Sequence, residues 1–309
     1  MKIYNFKKIL LAVSVVLVFT GCKKDEAVVA KETIDVKFTA NPDLSLFQYA
    51  IKKARLTNFT QGNGPFTIFA PTNAAFNTIG IADEAGINLL DSNALVQLIT
   101  FHIQSGSRTY LEIPFGPNAP MSTQGGFVQY ATRYNGGSAF INGAKIIKQD
   151  IAASNGTIHI IDKVLQVPVF NALTVLSNNP NYARMVQAIN KASITSSFTA
   201  GASTFFAVPN SAMIAAGYDS TSIANLTLPA SVTLLGNIMR YHVVPQRIFQ
   251  QDFKAGNLKT LQGSNILVSI AGTTINLKGL ANPSPFQIVT PSVTCINGVV
   301  YGIDGLLKY

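Results

Sequence analysis

Charged side chains are scarce: Asp, Glu, Lys and Arg make up 12% of the 309 residues, against about 25% in an average soluble domain, and Asn, Ser, Thr and Gln fill the gap. Such a surface hydrogen-bonds readily to neutral partners such as glycans or protein surfaces, and it is equally a habit of secreted proteins. The basic residues form no run. That excludes a nucleic-acid-binding stripe and leaves weak attraction to anionic polymers or a membrane surface as the most the net charge supports. Only three histidines and two cysteines occur. A metal site would need clustered Asp or Glu partners that the sequence does not supply, and no cofactor is implied. Gly-x-Ser-x-Gly, His-Glu-x-x-His, a glycine-rich phosphate loop and a calcium loop of alternating acids are all absent, so the chain reads as a protein that is not an enzyme.

Long apolar runs are missing as well. Ile9 to Phe19, a run of apolar residues and one Ser, spans 11 residues, too few to cross a bilayer as a helix. With Lys2, Lys7 and Lys8 before it and Thr20-Gly21 after it, this run reads as the core of an export signal over residues 1–21. Val18-Phe19-Thr20-Gly21-Cys22 resembles the lipobox of bacterial lipoproteins, with Phe19 where Leu is usual. The resemblance implies acylation of Cys22 and attachment to the membrane through lipid, where several acyl chains hold firmly and one holds weakly. Lys23-Lys24-Asp25-Glu26 opens a polar tether over 22–38 and looks like the export tag of Bacteroidota lipoproteins. The expected location is the outer membrane, lipid-anchored and surface-exposed. With Cys22 assigned to lipid, Cys295 has no partner for an intramolecular disulfide and reads as a small buried hydrophobe in a strand.

What the chain does have is a second copy of itself. Phe66-Thr-Ile-Phe-Ala-Pro-Thr-Asn-Ala-Ala-Phe76 recurs as Ser203-Thr-Phe-Phe-Ala-Val-Pro-Asn-Ser-Ala-Met213. Leu95, Leu98, Ile99 and His102 recur as Leu235, Ile238, Met239 and His242, and Asn155-Gly-Thr-Ile-His-Ile-Ile-Asp162 as Asn297-Gly-Val-Val-Tyr-Gly-Ile-Asp304. The period is too long for a solenoid and fits a compact domain, so the chain is read as two tandem domains, 39–168 and 169–309. Their charge differs: residues 40–168 hold eight Lys or Arg against seven Asp or Glu, and residues 169–309 hold eight against three.

Within each copy, Leu44, Phe47, Ile51 and Ala54, then Met185, Ile189 and Ala192, predict an opening amphipathic helix. A strand follows at Phe66 to Ala70, where Pro71 ends regular pairing and Asn73 is suited to cap the next helix; Pro209-Asn210-Ser211 repeats this one residue out of step. A later helix carries the stripe Leu95, Leu98, Ile99, His102, with Asp91-Ser92-Asn93 as caps. Short strands come last. Asn155-Gly156 and Asn297-Gly298 act as hairpin turns into closing strands, with Ile158 and Ile160 on one face and His159 on the other. Helices first and strands last predict an α+β class with an antiparallel sheet.

These three ordered motifs, with Phe101-His102 or Tyr241-His242 between the outer two, resemble the fasciclin (FAS1) domain twice over, across nearly all of the mature chain. The resemblance implies a β-sandwich or wedge of short strands with packed helices, and a role in adhesion or matrix contact. Its signature residues here are Phe101, His102, His159, Asp162, Tyr241, His242 and Asp304, with Val208 and Tyr301 departing from the usual Pro and His. The family's Tyr-His pair has been associated with adhesion, yet His102 and His242 lie on apolar helix stripes, where an imidazole is commonly buried and satisfied by backbone groups. Asp162 and Asp304 read as turn or ion-pair residues. Together these features predict a lipid-anchored envelope protein that binds an extracellular protein or glycan by surface complementarity. The alternative is an accessory glycan-binding lipoprotein of an outer-membrane polysaccharide uptake system, which an exposed platform of Tyr130, Tyr134 or Tyr218 would favour over a broad apolar patch.

Overall fold

The computed structural model describes residues 32–309; the export signal, Cys22 and the tether up to residue 31 lie outside them. The tether expected to reach residue 38 ends sooner. Ile34–Thr39 is a helix whose Ile34 and Phe38 are buried, because two large apolar residues four apart form one face that must be covered. Each domain therefore opens one helix earlier than the apolar spacing predicts, with Ile34–Thr39 in the first and Ala172–Ser177 in the second. The amphipathic helices Ser45–Lys53 and Ala183–Lys191 follow, burying Phe47 with Ile51 and Met185 with Ile189.

The first domain contains β1 Phe66–Pro71, β2 Ile103–Ser105, β3 Gly116–Ser122, β4 Val128–Arg133, β5 Ala139–Ile141, β6 Ala144–Ala153 and β7 Gly156–Ile161. They form one sheet in the order β2-β1-β7-β6-β5-β4-β3. Here the expectation of an antiparallel sheet is corrected. β1 runs parallel to β7 from Phe66↔Gly156 to Pro71↔Ile161, while the other pairs are antiparallel. Local turn chemistry specifies hairpins, whereas the first and last strands of a domain meet only through the packed core. β7 is buried along its whole length: Ile158 and Ile160 join the helix-side core with Phe47, Phe76 and Ile99, and Ile161 joins the opposite layer with Phe69, Phe101 and Ile141.

The second domain repeats this plan with β8 Ser203–Ala207, β9 Val243–Val244, β10 Gly256–Lys259, β11 Asn265–Ala271, β12 Thr274–Lys278, β13 Phe286–Gln287, β14 Val293–Cys295 and β15 Gly298–Gly302. β8 and β15 again pair in parallel. The single sheet is now divided into β14-β15-β8-β9 and β10-β11-β12-β13. In the first domain the long β6 joins the two parts, bending through two register shifts. Its counterpart in the second domain is split between β13 and β14 around Pro291, which offers no N–H to the ladder. Cys295 lies buried at the end of β14, and burial pushes its thiol up to about 12.

Candidate functional site

His102 and His242 follow their helices, Ser92–Phe101 and Pro229–Tyr241, as C-caps. Both are fully buried. His102 Nδ1–H donates to Leu98 O at 2.7 Å, and its Nε2 accepts the Leu165 N–H at 3.0 Å. His242 repeats this with Ile238 O at 2.8 Å and Leu307 N at 3.0 Å. Each neutral ring thus clamps the end of a helix to the carboxyl-terminal segment of its own domain. Burial pulls both imidazoles down to about 4, because a charged ring there would lose its water and its acceptor role toward the leucine N–H.

His159 stacks on Phe69 at 5.5 Å between ring centres and donates from Nε2 to Arg108 O at 2.9 Å. Tyr301 takes the equivalent place in β15, and its hydroxyl donates to Ile248 O at 3.0 Å. The exchange of His for Tyr therefore keeps the bond to the same turn. Thr67 and Thr204 brace that turn in both copies, each hydroxyl donating to a carbonyl and accepting an N–H. Asp162 accepts the Lys145 N–H and Asp304 the Gln287 N–H, both at 2.7 Å, so these carboxylates close strand irregularities and form no ion pair. Phe101 is buried against Phe127, and the Tyr241 hydroxyl donates to Asn265 O.

Two features leave no signal in the sequence. Asn155 is a buried hub: its Oδ1 accepts the Ile34 N–H while its Nδ2 donates to Thr60 O and Gly62 O. Asn297 does the same for Ala172 N and Phe198 O. Asn73 does not cap its helix either. Thr72 does, accepting the Ala75 N–H, while Asn73 reaches back to Leu46 N and Pro42 O. Asn210 makes the equivalent tie to Arg184 N and Pro180 O, so the two asparagines are in step. A short polar side chain beside a turn gives no sequence signal for whether its partner is local or distant.

The second feature is a contact between the domains. The buried Arg247 guanidinium lies 3.7 Å from the Tyr130 ring centre and donates to Ile296 O, while Asn118 Nδ2 donates to Arg247 O at 2.8 Å. Nearby, the Tyr134 hydroxyl donates to Asp252. Burial raises both groups above their usual ranges. Tyr218 packs against the second core, so Tyr130, Tyr134 and Tyr218 form no joint exposed platform. A desolvated cation–π pair contributes about 2 kcal/mol. Arg247→Ala is expected to lower stability by at least that and to increase the radius measured by small-angle scattering as the domains loosen. Arg247→Lys should rescue little, since an ammonium cannot stack as a plane.

A duplicated α+β unit whose recurring polar groups serve the backbone is a scaffold repeated in tandem. A fasciclin-domain family model matches residues 42–168 and 180–309, and the chain belongs to the fasciclin family. Protein sll1483 of Synechocystis is 31% identical over 150 residues, 46% of this chain and 81% of that protein. Transforming growth factor-beta-induced protein ig-h3 of Sus scrofa is 24% identical over 265 residues, 84% of this chain and 37% of the relative. Immunogenic protein MPB70 of Mycobacterium bovis is 26% identical over 146 residues, 45% of this chain and 71% of its own. A solved FAS1 domain pair from the insect cell adhesion molecule fasciclin I aligns with 86% of this chain and 96% of its own, at 21% identity and a TM-score of 0.42. The chain thus spans four fifths of the cyanobacterial relative and little more than a third of ig-h3.

Proposed function

We propose that this chain is a binding module of the cell envelope, anchored by an acylated Cys22, that adheres to an extracellular protein through surface complementarity and does no chemistry on it. The observation that carries this reading is the commitment of the duplicated polar groups. His102, His159, Asp162, His242 and Asp304 all spend their ring nitrogens or carboxylate oxygens on backbone partners. Among the described residues no three His, Cys, Asp or Glu side chains are grouped to hold a metal, and no helix is long and apolar enough to cross a membrane.

A protein partner is favoured over a glycan because the tyrosines best suited to stack on sugar are occupied, while Val169, Phe170 and Ile296 are exposed and joined by the Ile296 N–H bond to Phe170 O. In the native host, Cys22→Ser is expected to release the protein into the medium and to reduce cell aggregation to the level of a deletion strain, leaving polysaccharide uptake unchanged. Aggregation that survives deletion would rule out adhesion; membrane retention of Cys22→Ser would rule out the acyl anchor.

A further inference from the structure

The second domain holds eight Lys or Arg against three Asp, and all three carboxylates are engaged internally. Asp219 accepts the Ser222 N–H as a helix cap, Asp252 accepts the Tyr134 hydroxyl, and Asp304 accepts the Gln287 N–H. Among the described residues the one ion pair is Lys37 with Glu32, in the first domain, so the cations of the second domain have no carboxylate within ion-pair distance.

Some of those cations share one surface. In the sheet β10-β11-β12-β13, Ile266, Val268, Ile275 and Leu277 face the core, so the alternate residues face outward. Lys259 pairs with Asn265, and Leu267 with Lys278, which places both lysines and Leu267 on the outer face at one end of the sheet. Leu261 and Leu280 follow two residues after Lys259 and Lys278. The three leucines are 43% (Leu261), 49% (Leu267) and 70% (Leu280) exposed. The patch therefore combines leucines open to solvent, lysines without counter-charges and no carboxylate. A polyanion in solution would explain the lysines but leave the leucines in water, and an apolar protein surface would leave the lysines uncompensated. An anionic lipid surface satisfies both, with phosphates meeting the ammonium groups and the headgroup boundary receiving the leucines.

We propose that this end of the second domain is a peripheral docking face for membranes rich in anionic phospholipid. The inference deepens the envelope reading above, but its assay uses neither acyl chain nor cells, so either can fail alone. Residues 32–309, which carry both complete cores, are sedimented with vesicles of phosphatidylglycerol and phosphatidylcholine and with vesicles of phosphatidylcholine only. Binding is expected to the anionic vesicles and to weaken with salt. Each lysine near such a surface contributes about five-fold to partitioning, so Lys259→Glu with Lys278→Glu is expected to reduce it at least 30-fold. Leu267→Ser with Leu280→Ser is expected to reduce it about ten-fold and to do so still in high salt. Lys52→Glu with Lys53→Glu in the first domain makes the same change in charge and is expected to stay within two-fold of the parent. The proposal is overturned if the two lysine pairs lose equally, if the leucine variant binds like the parent, or if polygalacturonate beads capture the protein as well as the vesicles do.

Discussion

Between pH 6.5 and pH 4 each domain is expected to lose about 3 kcal/mol of stability through one buried histidine. The sign follows from proton binding. His102 and His242 titrate near 4 when folded and near 6.5 when unfolded, so within that window the unfolded chain holds more protons and acid favours it. The full contribution is present well above pH 6.5, declines as pH falls, and is exhausted only below pH 4. His159 is also depressed by burial and adds in the same direction. Asp252 opposes them: burial raises its carboxyl above the usual value, so protonation there favours the folded state. Two rings outweigh one partly buried carboxyl. Urea unfolding at pH 7 and pH 4.5 reads the difference, and His242→Gln is expected to lower stability at pH 7 while removing the second domain's share of the pH slope. An unfolding midpoint that does not move between the two pH values would contradict the clamp.

Replacing Gly298 by Ala is expected to prevent the second domain from folding. Gly298 opens β15 opposite Ser203 at a φ of +153°, and an added Cβ would lie 1.8 Å from Ser203 O. A backbone oxygen cannot rotate away, so the parallel pair itself would have to separate. That combines strain with the loss of ladder bonds, at a cost of roughly 4 kcal/mol or more, a large part of the 5–15 kcal/mol typical of a whole domain. Gly156 has the same geometry against Phe66 O at 2.0 Å, and Gly156→Ala should unfold the first domain equally. Gly263→Ala is the control: its φ is +110° with nothing within 4 Å, so it costs backbone strain only, about 2 kcal/mol, and no ladder bonds. Two-dimensional NMR of each variant would show which domain's resonances collapse.

Gly156 and Gly298 mark the limit of what the sequence reveals. Asn155-Gly156 and Asn297-Gly298 read as turns, but the turns are Ser154-Asn155 and Ile296-Asn297 and each glycine opens a strand; the reason that glycine is required lies in a strand more than 80 residues away. The same holds for Asn73 and Asn210, whose composition suggests a cap and whose bonds run to another helix. It holds too for Arg247, an ordinary cation in the sequence that stacks on a tyrosine of the other domain. The helix that opens each domain leaves no sequence signal, because six residues carry too few apolar positions for a 3.6-residue period to stand out.

The duplication, the α+β class, the longer helices, the first and last strands of each copy and the apolar stripes that carry the two histidines are legible in the sequence. These are properties of local spacing, since a residue's place in a helix or strand is set by its near neighbours. The tertiary structure alone decided the parallel pairing of first and last strands, the splitting of one sheet into two and the contact between domains. It also set the outward face that gathers Lys259, Leu267 and Lys278. Each of these depends on which distant surfaces exclude water together, and that choice belongs to the packed core as a whole.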